Sequence, residues 1–89
     1  MNRRVHIVIR GKVQGVFFRA GIEEKAKELK ISGWVKNNGG NVEALLEGEN
    51  ESIKEMLAFC SIGPTGARVT TVDIDELPYV SEHKKFTRE

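Results

Sequence analysis

Gly11-Lys12-Val13-Gln14-Gly15-Val16-Phe17-Phe18-Arg19 is the joint on which the reading of this sequence turns. Before it, Val5, Ile7 and Ile9 alternate with Arg4, His6 and Arg10, the two-residue period of a half-buried strand. After it, from about Ala20 to Lys30, Ile22, Ala26 and Leu29 recur at i, i+4 and i+7, while Glu23, Glu24, Lys25, Lys27 and Glu28 face away. That is an amphipathic helix, with Glu23 and Lys27 as a favourable i,i+4 pair. A glycine-bearing turn between strand and helix can aim several backbone N–H groups at one spot beside the positive end of the helix. Arg19 adds a planar, permanently charged fork there. An arginine at a helix N-terminus opposes the dipole, and a nearby anion relieves that conflict. The chemistry implied is an anion site, most naturally for phosphate.

Ser32-Gly33 is expected to end the first helix. Trp34–Asn37 reads as a second strand and Asn41–Glu47 as a third, with Val42, Ala44 and Leu46 on one face. Asn38-Gly39-Gly40 between them is hairpin chemistry, because these residues accept positive φ. Asn50 is expected to cap a second helix whose apolar face is Ile53, Met56, Leu57 and Cys60, with Gly63-Pro64 as its stop. A fourth strand is expected over Ala67–Asp75. The odd separation of Val69 and Val72 demands either a bulge or opposite faces. Lys84–Arg88 reads as a short edge strand with protective lysines. The order β-α-β-β-α-β predicts a ferredoxin-like α+β sandwich, an antiparallel four- to five-stranded sheet with two helices on one face. Residues 1–89 are expected to form a single domain.

Composition narrows the classes of function. Hydrophobic and charged shares of 39% and 30% are ordinary for a globular protein. A net charge of +1 provides no strong field to draw the chain to nucleic acid or a membrane surface. The single cysteine, Cys60, rules out an intramolecular disulfide, which fits a reducing compartment. Met1-Asn2-Arg3-Arg4 leads directly into strand pattern, and no apolar stretch is of bilayer length. A cytoplasmic monomer without nucleic-acid or membrane partners is expected.

The first motif, Gly11 through Arg19, resembles the first signature of the acylphosphatase family. Gly33-Trp34-Val35-Lys36-Asn37, followed by Val42 and Gly48, resembles the second, and Gly63-Pro64 with Ala67 and Val69 is similar to a later stretch. The resemblance covers nearly the whole chain. It implies an α/β sandwich that hydrolyses the carboxyl-phosphate bond of small acyl phosphates, with no cofactor, no metal and no phosphoenzyme. It implies that Arg19 binds the phosphate with the amides of Gly15, Val16, Phe17, Phe18 and Arg19, and that Asn37 positions the attacking water. In some family members the chain end holds this arginine, so the Glu89 carboxylate is a candidate partner for Arg19. Between Asn37 and Val42 the chain is one residue shorter than the usual family spacing, so the hairpin is expected to close more tightly.

Other phosphate chemistries fit poorly. A cysteine phosphatase places its nucleophile where this chain has Val13, and no Gly-Lys-Ser/Thr follows the glycines as a Walker-A loop requires. Two alternatives stand beside the enzyme: a non-catalytic anion-binding module of the same shape, and an RNA-recognition fold. The latter displays aromatics on central strands, whereas Val5–Ile9 and Asn41–Glu47 carry none. Phe17 and Phe18 are therefore expected to plug the core, with Phe18 inward, and Trp34 to pack at its strand start. Cys60 is expected to be an inert core thiol, and the isolated His6 and His83 to make no metal site.

Overall fold

The two-residue alternation runs further than its apolar members alone suggest. In the computed structural model, which describes all residues Met1–Glu89, strand β1 spans Asn2–Lys12 and buries Val5, Ile7 and Ile9 completely. Helix α1 covers Phe18–Leu29, beginning two residues before Ala20. It does not end at Ser32-Gly33. Lys30 takes a left-handed conformation (φ 58°) and the Lys30 N–H donates to the carbonyls of Ala26 and Lys27, closing the last turn without a glycine. Ser32 and Gly33 already belong to strand β2, Ser32–Asn38.

Strand β3, Asn41–Glu49, pairs with β2 through a two-residue turn, Gly39-Gly40, flanked by the Asn38–Asn41 pair. Gly39 supplies the positive φ, 62°, that lets so tight a turn close. Helix α2 spans Asn50–Ile62, with Glu49 at the N-cap and no side-chain cap bond. Asn50, expected as the cap, is instead the first helical residue. The Asn50 side chain accepts from Arg3 Nη1 at 3.3 Å and its backbone N–H donates to the Met1 carbonyl at 2.9 Å, tying down the N-terminus. Gly63 ends α2 as expected.

Strand β4, Arg68–Leu77, settles the odd spacing of its valines. Arg10 pairs with Thr71 and Gly11 with Val69, so Thr70 is an extra residue in β4. Thr70 Oγ1 donates to the Arg10 carbonyl at 2.9 Å. The irregularity lets both Val69 and Val72 pack against the core. Strand β5, Phe86–Arg88, completes a sheet of order β4-β1-β3-β2-β5. All pairings are antiparallel except β2 with β5, which is parallel. The sheet is thus mixed, not wholly antiparallel, because residues 78–85 carry the chain from one sheet edge to the other and deliver β5 running in the direction of β2.

The core lies between one face of this sheet and the two helices. Phe18, Ile22 and Ala26 of α1 and Ile53, Met56 and Cys60 of α2 meet Val5, Ile7, Ile9, Val35, Val42, Ala44 and Leu46. Each large side chain removed from water there contributes about 1.5–3 kcal/mol. The other face is polar: His6 Nε2 lies 2.6 Å from Glu43 Oε2, and Trp34 packs edge-on to His6 with Lys36 over its ring. Glu47, only 2% exposed, accepts from Arg4 Nε and from the His83 backbone N–H, both at 3.1 Å. One buried carboxylate thereby anchors the long crossing to β5.

Candidate active site

The segment joining β1 to α1 is pinned at both ends. Val13 and Phe18 are buried in the core, 1% and 2% exposed, so residues 14–17 arch between two apolar anchors. Gly15 has φ 74° with nothing within 4 Å of where a Cβ would stand, so backbone geometry and not space calls for glycine there. Phe17 is left-handed as well (φ 60°, ψ 26°), a conformation that costs a non-glycine residue about 1–3 kcal/mol. Phe17 does not plug the core. It is 85% exposed, because the turn that sends Phe18 inward sends Phe17 out.

No backbone or side-chain acceptor meets the amides of Gly15 through Ala20, and the first turn of α1 contains no acidic residue. A run of unpaired N–H groups at a helix start is an anion-binding surface. Arg19 stands beside it, half-buried. Arg19 Nη1 donates to the main-chain oxygen of Glu89, and the Glu89 N–H donates to the Val35 carbonyl at 2.8 Å. The tail is thus fixed to β2 and the guanidinium to the tail. Asn37, near the end of β2, is exposed, pairs with Val42 and makes no side-chain hydrogen bond within the protein.

A cavity of about 430 Å³ brings Gly15, Phe17, Phe18, Arg19 and Asn37 together. Val16 does not line it; the Val16 side chain packs against the core, so that residue can offer only its amide. Two further polar residues that sequence reasoning missed line the same space, Gln14 and Arg88. Gln14 lies inside the first motif, but only the hairpin register shows what it can reach. Arg88 arrives from β5, with Nε 3.3 Å from Glu23 Oε1. The lining holds two guanidinium groups and no carboxylate, imidazole, thiol or amine side chain. Its electrostatics favour an anion, and its side chains offer neither a general base nor a covalent nucleophile.

The remaining titratable groups lie elsewhere. Cys60 is fully buried on α2, and burial pushes its thiol up to about 12. Glu76 is held below the usual carboxylate range by hydrogen bonding from Arg3, whose Nη2 lies 2.7 Å from Glu76 Oε1. His83 comes together with Glu47 and Glu82, but both carboxylates already receive the Arg4 guanidinium, at 3.1 and 2.5 Å. Trp34 does not line the cavity.

The Acylphosphatase family model matches residues 5–88. An acylphosphatase of Methylococcus capsulatus is 45% identical over 85 residues, covering 94% of this chain and 92% of that protein. The solved acylphosphatase of Coxiella burnetii superposes with a TM-score of 0.92 at 38% identity, over 99% of this chain and 93% of the other. For acylphosphatase from Bacillus subtilis the TM-score is 0.93 at 31% identity, over 100% and 99%. Likeness of this extent in both sequence and fold reaches beyond architecture: the chain belongs to the acylphosphatase family, hydrolases of small acyl phosphates.

Proposed function

We propose that this acylphosphatase cleaves the bond between phosphorus and the carboxyl oxygen by direct attack of water. In this reading Arg19 and the amides of Gly15, Val16, Phe17, Phe18 and Arg19 hold the phosphate, and Asn37 orients the water. The observation that carries it is the convergence of unpaired amides, a guanidinium and an unengaged Asn37 side chain on one cavity.

Phosphoryl transfer passes through a loose transition state with charge spread over the equatorial oxygens. Fixed amides and a guanidinium stabilise that charge without reorganising. The carboxylate is a good leaving group, so little covalent assistance is needed. The Asn37 amide can donate to and accept from water but cannot take its proton at neutral pH. With no side chain in the cavity able to accept a proton at neutral pH, the proton passes to the phosphate: RCO₂PO₃²⁻ and H₂O give RCO₂⁻ and H₂PO₄⁻.

The test is hydrolysis of benzoyl phosphate in EDTA by wild type, Arg19→Ala and Asn37→Ala. Wild-type turnover should persist in EDTA. Arg19→Ala should lose at least about 10²-fold in kcat/KM, the usual cost of removing one donor to a developing oxyanion. Asn37→Ala should lose about 10²-fold in kcat while still binding inorganic phosphate. A wild-type protein that binds phosphate without turning over benzoyl phosphate would support a non-catalytic anion-binding module instead.

A further inference from the structure

The tip of the β2–β3 hairpin has almost nothing to lean on. Neither Gly39 nor Gly40 has an atom within 4 Å of where a Cβ would stand, and the nearby Asn38 side chain bonds only within the hairpin, to Glu43 at 3.2 Å. Yet Asn37, two residues before the turn, must hold a water in line with the phosphate if it acts as proposed above. One side chain crosses the gap. Gln14 Nε2 donates to the Gly39 carbonyl at 2.6 Å and to the Asn41 carbonyl at 3.0 Å, one on each side of Gly40. Both acceptors are carbonyls, so the amide orientation is unambiguous and both of its N–H groups are used. No other hydrogen bond joins the 13–17 loop to the hairpin.

We propose that Gln14 is a positioning residue that sets the distance between the phosphate-holding amides and the Asn37 side chain. This rests on the role proposed for Asn37. Gln14 follows the buried Val13 and precedes Gly15, so its backbone is fixed to the same arch that presents the amides. Its side chain passes that fixed point on to a hairpin tip that lacks its own packing. Small misplacements of an attacking group are costly in rate, whereas ground-state phosphate affinity, in the proposed reading, comes from the loop amides and the cavity's guanidinium groups rather than from Asn37.

The experiment is a double-mutant cycle between Gln14→Met and Asn37→Ala, read as kcat for benzoyl phosphate and as inhibition by inorganic phosphate. Methionine keeps the length and removes both donors. With Asn37 present, Gln14→Met should lower kcat about tenfold, the scale of two lost hydrogen bonds, and leave phosphate inhibition within roughly twofold. In the Asn37→Ala background it should have no further effect on kcat. Gln14→Asn, which keeps the amide but is one methylene too short, should match Gln14→Met, and it carries the test if the methionine variant fails to fold. Equal kcat losses in both backgrounds, or phosphate inhibition weakening in step with kcat, would overturn the positioning role. If Asn37→Ala alone leaves kcat unchanged, the role of Asn37 itself falls, an outcome distinct from an additive Gln14 effect.

Discussion

Arg19 occupies a position that the helix dipole disfavours, and its contacts show how the protein keeps it there. The main-chain oxygen of Glu89 accepts from Nη1, which leaves the rest of the guanidinium fork to face the cavity. A side chain held in this way loses less rotational freedom on meeting an anion than a free surface arginine does. Cys60 shows the opposite case, a reactive group that the fold silences. Burial holds the folded-state thiol at about 12 against an ordinary 9.0, so between those values the thiol stays neutral only while the chain is folded. The stability it contributes is complete below pH 9 and is lost as pH rises toward 12. From pH 9 to about 11 the loss amounts to about 2 kcal/mol. In denaturant unfolding, wild type should lose that much more over this range than Cys60→Ala; parallel slopes would show that the thiol ionises equally in both states.

At the scale of elements, β5 has two tasks that separate along its length. Phe86 is buried at 5% exposure and belongs to the core, whereas Thr87, Arg88 and Glu89 are exposed and lead to Arg19. Phe86→Ala should therefore destabilise by about 3–5 kcal/mol, as aromatic truncations in cores do. Deleting residues 87–89 should cost no more than about 2 kcal/mol, since it removes exposed side chains and a few edge hydrogen bonds. The same deletion should lower kcat/KM about tenfold or more by releasing Arg19 and taking the Arg88 guanidinium out of the cavity. Melting curves and benzoyl phosphate turnover on both variants check this, and equal effects on stability and activity in the deletion would contradict it. The interiors of these elements were readable because their periods are strong: Val5, Ile7, Ile9 and Ile53, Met56, Cys60 all point where periodicity sends them. Element ends were harder. A left-handed Lys30 closes α1 where a glycine was expected, and Asn50 serves the N-terminus rather than the cap. In each case a tertiary partner or the next strand outweighed local preference.

Across the whole molecule, the order of elements identified the sandwich, since a βαββαβ pattern with two amphipathic helices has few ways to bury its faces. The parallel direction of β5 was not legible, because the eight residues that bring it across carry no periodic signal and are anchored by Glu47 on the polar face. The lining of the candidate cavity was legible where one contiguous motif supplies Gly15, Phe17, Phe18 and Arg19, and where the hairpin register brings Asn37 to the same space. Gln14 and Arg88 escaped notice because their importance comes from what lies 25 and more residues away in sequence. The fold thus brings a turn, a strand end and the tail to one point, and the proposed chemistry depends on water meeting phosphorus there. Hydrolysis of benzoyl phosphate in ¹⁸O-labelled water tests that most directly. Mass spectrometry of the products should find one labelled oxygen in the inorganic phosphate and none in the benzoate; label in the benzoate would place the attack at the carbonyl carbon and contradict the mechanism.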